Sequence, residues 1–136
     1  MQQILVDADN FPRRELAAVL QWLAAAGVPD EDMVVSGRRQ ALKCVDWPAG
    51  AALTEASGWQ HADLVLASAY RPDRGLLVIV SGDGDFAHLA GRHAGPVLVV
   101  SASPAAALRA VATVLHPATD SADDLSRWLN QGSAAG

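Results

Sequence analysis

The sequence predicts a single α/β domain built around a parallel β-sheet. Two apolar runs, Ile4–Val6 and Leu76–Val80, are each followed by polar turn residues and then by a helical pattern of apolar residues. Such runs are typical of strands that are buried on both faces. Strands that alternate with helices favour a parallel sheet with right-handed crossovers. At 136 residues the chain is long enough for one such core, so we expect one domain over residues 1–130 and a flexible tail at 131–136.

The first half of the chain places one strongly patterned helix between predicted strands. The helix is expected at about 12–26, because Pro12 suits a first helical turn and the apolar residues after it recur at helical spacing. Gly27 ends it. The strands of this half, the third of them weakly patterned, are expected at about 3–7, 32–36 and 41–46. A loop or short helix then extends to about residue 56.

The second half contains the clearest strand of the sequence, at about 76–81, where five apolar residues precede Ser81 and Gly82. Ser103 and Pro104 form a cap residue and a first-turn proline, and so predict the start of a helix. The other helices are expected at about 60–70, 84–93 and 121–130. A fifth strand is expected at about 97–101, and a short edge strand from Val111 to Leu115.

Charge and cysteine content narrow the class of protein. The formal net charge of −5 argues against an ordinary, strongly basic nucleic-acid binder. It does not exclude a nuclease, because aspartates of a metal site count as negative until a cation neutralises them. The single cysteine, Cys44, excludes an internal disulfide and favours a reducing, cytoplasmic compartment.

No run approaches the roughly 20 apolar residues that span a bilayer, so we expect no membrane association, and the immediate first strand leaves no room for a signal peptide.

Acidic residues follow both of the clearest strands. Asp7 and Asp9 come after the first strand, and Asp83 and Asp85 follow the fourth. Ligands of open α/β sheets bind beyond the carboxyl ends of the strands, so these carboxylates are expected to converge if the two strands are neighbours. Like charges at close range repel one another, and a hard divalent cation is the usual means of making such a cluster stable. A purely structural alternative is that these aspartates cap helices or occupy first helical turns.

Other polar residues are weaker candidates for the same site. Asp63 lies in the first turn of the predicted helix at 60–70, and His61 is close to it. A lone carboxylate at such a position often does no more than interact favourably with the helix dipole. Three cationic residues follow the second strand and either contact phosphates at the rim of the site or are simply solvated: Arg38, Arg39 and Lys43.

Three motifs together resemble the NYN domain, a branch of the PIN-like nuclease superfamily. They are Ile4–Asn10 near the N-terminus, Ala62-Asp63 at the start of a helix in mid-chain, and Val80–Phe86. The order and the spacing of the motifs agree with that family, and the resemblance covers nearly the whole chain. The resemblance implies a three-layer α/β/α fold with about five parallel strands in the order 3-2-1-4-5. It also implies a ribonuclease that depends on Mg²⁺ or Mn²⁺ and acts in RNA processing.

The resemblance also assigns roles to residues of this chain. It implies that the metal-binding and catalytic residues are four aspartates, namely Asp7, Asp63, Asp83 and Asp85. Asn10 matches the asparagine that accompanies the first aspartate, and Ser81 matches the small hydroxyl residue before the late pair. We therefore expect Asn10 and Ser81, together with the cations that follow the second strand, to bind substrate.

Two other functions are compatible with the same residues. A phosphatase of the haloacid dehalogenase type would use Asp7 as nucleophile, Asp9 as acid and the Gly82–Asp85 segment for its metal. A non-catalytic PIN-like module would bind RNA or a protein partner without turnover. An exposed edge strand could support a homodimer, although no pattern in the sequence demands one.

Overall fold

The computed structural model describes residues 2–57 and 61–135 of the chain. Six parallel strands form one sheet in the order β3-β2-β1-β4-β5-β6. The strands are β1 Gln2–Asp7, β2 Met33–Gly37, β3 Ala52–Glu55, β4 Leu76–Val80, β5 Val97–Val100 and β6 Thr113–Leu115. The helices are α1 Arg13–Ala25, α2 Arg39–Lys43, α3 Ala62–Ala69, α4 Ala87–Arg92, α5 Ala106–Arg109 and α6 Ala122–Ala135. The predicted three-layer α/β/α fold with a central parallel sheet is confirmed, with six strands where about five were expected.

Alternate residues of the strands separate the core into two layers. Ile4, Val6 and Val80 face the side that is covered by α1 and α6. Leu5 and Ile79 face the opposite side, which is covered by α3, α4 and α5. Because β1 and β4 are buried on both faces, they read as continuous apolar runs in the sequence.

The third strand lies about ten residues later than predicted. The segment expected to form it contains α2, and β3 spans Ala52–Glu55, where a loop or short helix was expected. Ala41, Leu42 and Val45 are partly buried against the α1 side of the core, at a spacing that suits one helical face. All four residues of β3 are exposed, so this edge strand has no apolar pattern that sequence reasoning could detect.

The C-terminal elements also differ in their bounds. The helix predicted from Ser103 begins at Ala106, because the backbone of residues 103–105 is tied to the neighbouring loops. The amide of Ser103 donates to the hydroxyl of Ser101, and the amide of Ala105 donates to the carbonyl of Gly82. α6 continues to Ala135, five residues beyond its predicted end at 130. The edge strand predicted between Val111 and Leu115 is present as β6.

A buried histidine joins three elements at the amino edge of the sheet. His93 is 8% exposed and follows α4. Its Nε2 lies 2.7 Å from the carbonyl oxygen of Gly75, so this nitrogen carries the proton, and Nδ1 accepts a hydrogen bond of 2.7 Å from the Tyr70 hydroxyl. Burial raises the pKa of the Tyr70 hydroxyl above its usual value. His93 is thus a structural residue, far along the strands from their carboxyl ends.

Among the residues described, no helix combines the length and the apolar character that a bilayer crossing requires.

Candidate metal centre

The carboxyl ends of β1 and β4 bring the two acidic motifs together. β1 lies between β2 and β4, and Val6 is the register partner of Val80. Asp7, the last residue of β1, and Ser81, which follows β4, therefore lie side by side. α3 runs from this edge of the sheet towards the start of β4, so its first turn, which carries Asp63, lies at the same edge. The topology thus gathers residues that are more than 70 positions apart in the chain.

A cleft of about 260 Å³ opens at this edge. It is lined by Asp7, Asp9, Asn10, His61, Ala62, Asp63, Asp83 and Asp85. Asp63, Asp83 and Asp85 each offer one carboxylate oxygen, and these three oxygens lie within 4.8 Å of one another. Hard divalent cations bind carboxylate oxygens at about 2.0–2.6 Å, so one ion can span a group of this size. The number and chemistry of the donors therefore fit Mg²⁺ or Mn²⁺.

Asp7 lines the same cleft but is not part of that close group. Its side chain is 5% exposed, and its Oδ2 accepts a hydrogen bond of 3.0 Å from the Ser81 hydroxyl. Its Oδ1 is buried and has no hydrogen-bond partner among the described residues. Burial, together with the nearby charges of Asp9 and Asp83, raises the pKa of Asp7 to about 6, and the Ser81 hydrogen bond and the backbone amide of Asp9 oppose that rise. A buried carboxylate with a free oxygen is poorly compensated until a cation or a donor reaches it.

The loop after β4 is held in place by hydrogen bonds to residues of the first motif. Ser81 is fully buried, and its hydroxyl donates to Asp7 and accepts from the amide of Asp83 at 3.1 Å. The side-chain oxygen of Asn10 accepts from the amide of Gly82 at 2.8 Å. Ser81 and Asn10 were predicted to bind substrate, but these contacts make Ser81 inaccessible and give both residues a part in positioning the acidic loop.

Position 82 tolerates only glycine, because the loop lies very close to the end of β5. A Cβ atom at Gly82 would lie 2.6 Å from the Ser101 hydroxyl and 2.8 Å from the backbone oxygen of Ser103. Both distances are shorter than a van der Waals contact permits. The close approach sets the direction in which Asp83 and Asp85 leave the strand.

Neighbouring carboxylates of the cleft influence Asp85. Asp85 is exposed, and the charges of Asp83 and Asp63 raise the pKa of its carboxyl group. The nearby His61 opposes this rise. Asp83 accepts a hydrogen bond of 2.9 Å from the amide of Asp85, which fixes the first turn after the loop. The mutual repulsion would be relieved by a shared cation.

The three basic residues that were predicted to contact phosphates lie beside the cleft rather than in it. Arg38, Arg39 and Lys43 are exposed at the start and end of α2, which follows β2 at the same edge of the sheet. The amide of Arg38 donates to Asp9 Oδ1 at 2.9 Å, which links this segment to the first acidic motif. Within the part of the chain that the structure describes, the only salt bridge joins Arg127 to Asp124, so these three side chains are not neutralised by a carboxylate there.

The structure also clarifies two residues for which the sequence carried little or no signal. His61, noted only for its closeness to Asp63 in the sequence, lines the cleft. Ser36, at the end of β2, is fully buried and is the register partner of Asp7. A lone serine in an apolar strand carries no signal of such a role.

Neither a scan against protein-family models nor searches of curated proteins and of solved structures found a match for this chain.

Proposed function

We propose that this protein is a metal-dependent ribonuclease that hydrolyses phosphodiester bonds of RNA. The observation that carries the proposal is the meeting of three carboxylate oxygens within 4.8 Å in a cleft that also holds the buried Asp7. Acidic groups at a protein surface are common without any ion. A carboxylate that is 5% exposed with a partnerless oxygen at the same place is uncommon, and a cation bound in the cleft would compensate its charge.

Asp63, Asp83 and Asp85 would hold the cation, with the free oxygen of Asp7 as a further donor. Their oxygen-only chemistry favours Mg²⁺ or Mn²⁺ over softer metals. Such an ion, when bound, lowers the pKa of a coordinated water and stabilises negative charge on a phosphate. The described cleft residues include no serine or cysteine nucleophile, so the chain contributes position and charge rather than a covalent step.

The protein's own residues perform two tasks in this proposal. Ser81 and Asn10 hold the acidic loop against β1 and so fix the spacing between the two motifs. Arg38, Arg39 and Lys43, exposed beside the cleft, contact phosphates of the RNA next to the bond to be cut. RNA is inferred as the substrate from the likeness of the three motifs to NYN domains.

Cleavage of labelled single-stranded RNA by the purified chain tests the proposal. We expect cleavage with MnCl₂ or MgCl₂, none in excess EDTA, and a loss of at least about 100-fold in Asp83→Asn, since this variant removes a ligand charge. Asp123→Asn serves as a matched control, because Asp123 is an exposed aspartate on α6, away from the cleft. Cleavage that persists in EDTA, or that is unchanged in Asp83→Asn, contradicts the proposal.

A non-catalytic RNA-binding module is the second candidate. The feature that favours it is that the described residues lining the cleft include no lysine or arginine to hold a scissile phosphate. RNA binding that needs no metal, with no turnover under any condition, would support this alternative. A protein partner in place of RNA would give neither binding nor turnover in these assays.

The phosphatase alternative is disfavoured by the position of Asp7. A nucleophilic carboxylate must reach the phosphorus atom of its substrate. The free oxygen of Asp7 has almost no accessible surface, so a bulky phosphoryl group has far less room to approach it than a small cation has, and its other oxygen accepts the Ser81 hydrogen bond. The cytoplasmic location and a homodimer through an edge strand stay predictions.

A further inference from the structure

The end of β2 contains a second buried polar atom without a partner. Among the described residues, two buried side-chain atoms lack a hydrogen bond, Asp7 Oδ1 and Ser36 Oγ. Ser36 is 0% exposed. Buried polar groups in folded proteins are almost always paired, so two such atoms at one place need an explanation.

The two atoms belong to neighbouring residues on adjacent strands. Asp7 and Ser36 are register partners in the parallel pair of β1 and β2. Side chains of register partners point to the same face of a sheet, and adjacent strands lie about 4.8 Å apart. Two residues earlier, the partners Leu5 and Val34 both pack on the side of α3. Asp7 and Ser36 therefore face α3, whose first turn carries Asp63.

Asp7 consequently lies between two serines, one on each neighbouring strand. On the β4 side, the Ser81 hydroxyl donates to Oδ2. On the β2 side, Ser36 is the register partner of Asp7, and its hydroxyl and Oδ1 are the two buried atoms without a partner. A serine hydroxyl is a donor that turns to suit its partner, and a carboxylate oxygen accepts more than one bond.

We propose that Ser36 is a positioning residue of the metal site, whose hydroxyl donates to Oδ1 of Asp7 as Ser81 donates to Oδ2. The pair of serines fixes the plane of the carboxylate, and Oδ1 keeps a lone pair for the cation. This inference rests on the proposed function, because it assigns Ser36 a task only if Asp7 contributes to a metal site. Hydrogen bonds to ligating carboxylates orient the ligand, and their loss typically weakens metal affinity by about 10- to 100-fold.

The alternative is that Ser36 is only a small residue that leaves room for α3. Alanine would then serve equally well, since it has the same Cβ and no polar atom to satisfy. Threonine keeps the hydroxyl, so recovery by threonine separates a hydrogen bond from simple packing. Val35→Ala is the matched control: Val35 precedes Ser36, is equally buried and packs on the opposite face of the sheet.

The experiment compares the wild type with Ser36→Ala, Ser36→Thr and Val35→Ala. It measures Mn²⁺ affinity by calorimetry and kcat and KM on a short RNA. We expect Ser36→Ala to weaken the Mn²⁺ Kd by about 10-fold and to lower kcat at subsaturating metal, with KM for RNA unchanged. Ser36→Thr should recover most of both. Val35→Ala should lower the melting temperature but keep the wild-type Mn²⁺ Kd.

Two outcomes overturn the inference while the proposed function stands. One is a Ser36→Ala variant that binds Mn²⁺ as tightly as the wild type. The other is a folded Ser36→Thr variant that shows the same loss as alanine. If the wild-type chain itself binds no Mn²⁺, the proposed function fails, and the assignment of Ser36 fails with it.

Discussion

Replacement of Asp7 by asparagine should stabilise the metal-free protein near neutral pH. Burial is the main cause that raises the pKa of Asp7 from 3.8 to about 6. The protonated carboxyl group therefore suits the folded state better than the ionised one. The contribution of protonated Asp7 to the free energy of unfolding is fully present below about pH 3.8 and is lost as the pH rises through about 6.

The size of the effect follows from that difference in pKa. A shift of about two units, at about 1.4 kcal/mol each, makes ionised Asp7 cost the folded state about 3 kcal/mol at pH 7.5. At pH 4 the same linkage gives a cost to the folded state of only about 0.5 kcal/mol, because Asp7 is then nearly neutral in the folded protein. Asparagine is neutral and of the same size, and its side-chain oxygen still accepts from Ser81. Asp7→Asn should thus raise the free energy of unfolding by up to about 3 kcal/mol at pH 7.5 and abolish cleavage.

Urea unfolding in EDTA at pH 7.5 and at pH 4 measures the effect. The control is Asp123→Asn, which changes an exposed carboxylate and should stay within about 0.5 kcal/mol of the wild type at either pH. Saturating MnCl₂ should then stabilise the wild type more than Asp7→Asn, because a cation bound to the folded state adds stability by mass action. An Asp7→Asn variant that is less stable than the wild type at pH 7.5, or a difference that does not shrink towards pH 4, refutes the reasoning.

Three further predictions concern the loop after β4, the buried histidine and the cations beside the cleft. Gly82→Ala should lower the free energy of unfolding by about 1–3 kcal/mol and reduce cleavage, since its Cβ would collide with Ser101; urea titration and the RNA assay check both, and a wild-type value in each contradicts it. His93→Leu should cost about 1–3 kcal/mol through its two lost hydrogen bonds but leave the Mn²⁺ Kd unchanged, and a weakened Kd would show that this histidine influences the site. Arg38→Ala combined with Arg39→Ala should reduce the slope of log K against log salt for RNA binding by about 1–2 without altering the Mn²⁺ Kd; an unchanged slope removes these arginines from the RNA-binding surface.

The positions of the acidic residues could be predicted because they follow from strand pattern and sheet topology. The apolar runs before Asp7 and Asp83 identify two strands that are buried on both faces, and parallel strands place their carboxyl ends at one edge. Asp63 joined them in the structure because α3 starts at that same edge. The likeness of the motifs to NYN domains supplied the strand order.

Other features depended on tertiary contacts that the sequence does not display. β3 is an exposed edge strand, so its residues show neither an apolar run nor an alternating pattern, while Ala41–Val45 offered a misleading apolar segment. Ser81 has the sequence position of a substrate-binding residue, but tertiary contacts bury it fully. Ser36 became significant only through its register with Asp7.

Anomalous diffraction from crystals soaked in MnCl₂ is the most direct test of whether these carboxylates share a cation. We expect a manganese peak in the cleft, at about 2.0–2.6 Å from oxygens of Asp63, Asp83 and Asp85. A cleft without a peak at saturating MnCl₂, or a peak bound only elsewhere on the surface, would contradict a metal centre at the ends of β1 and β4.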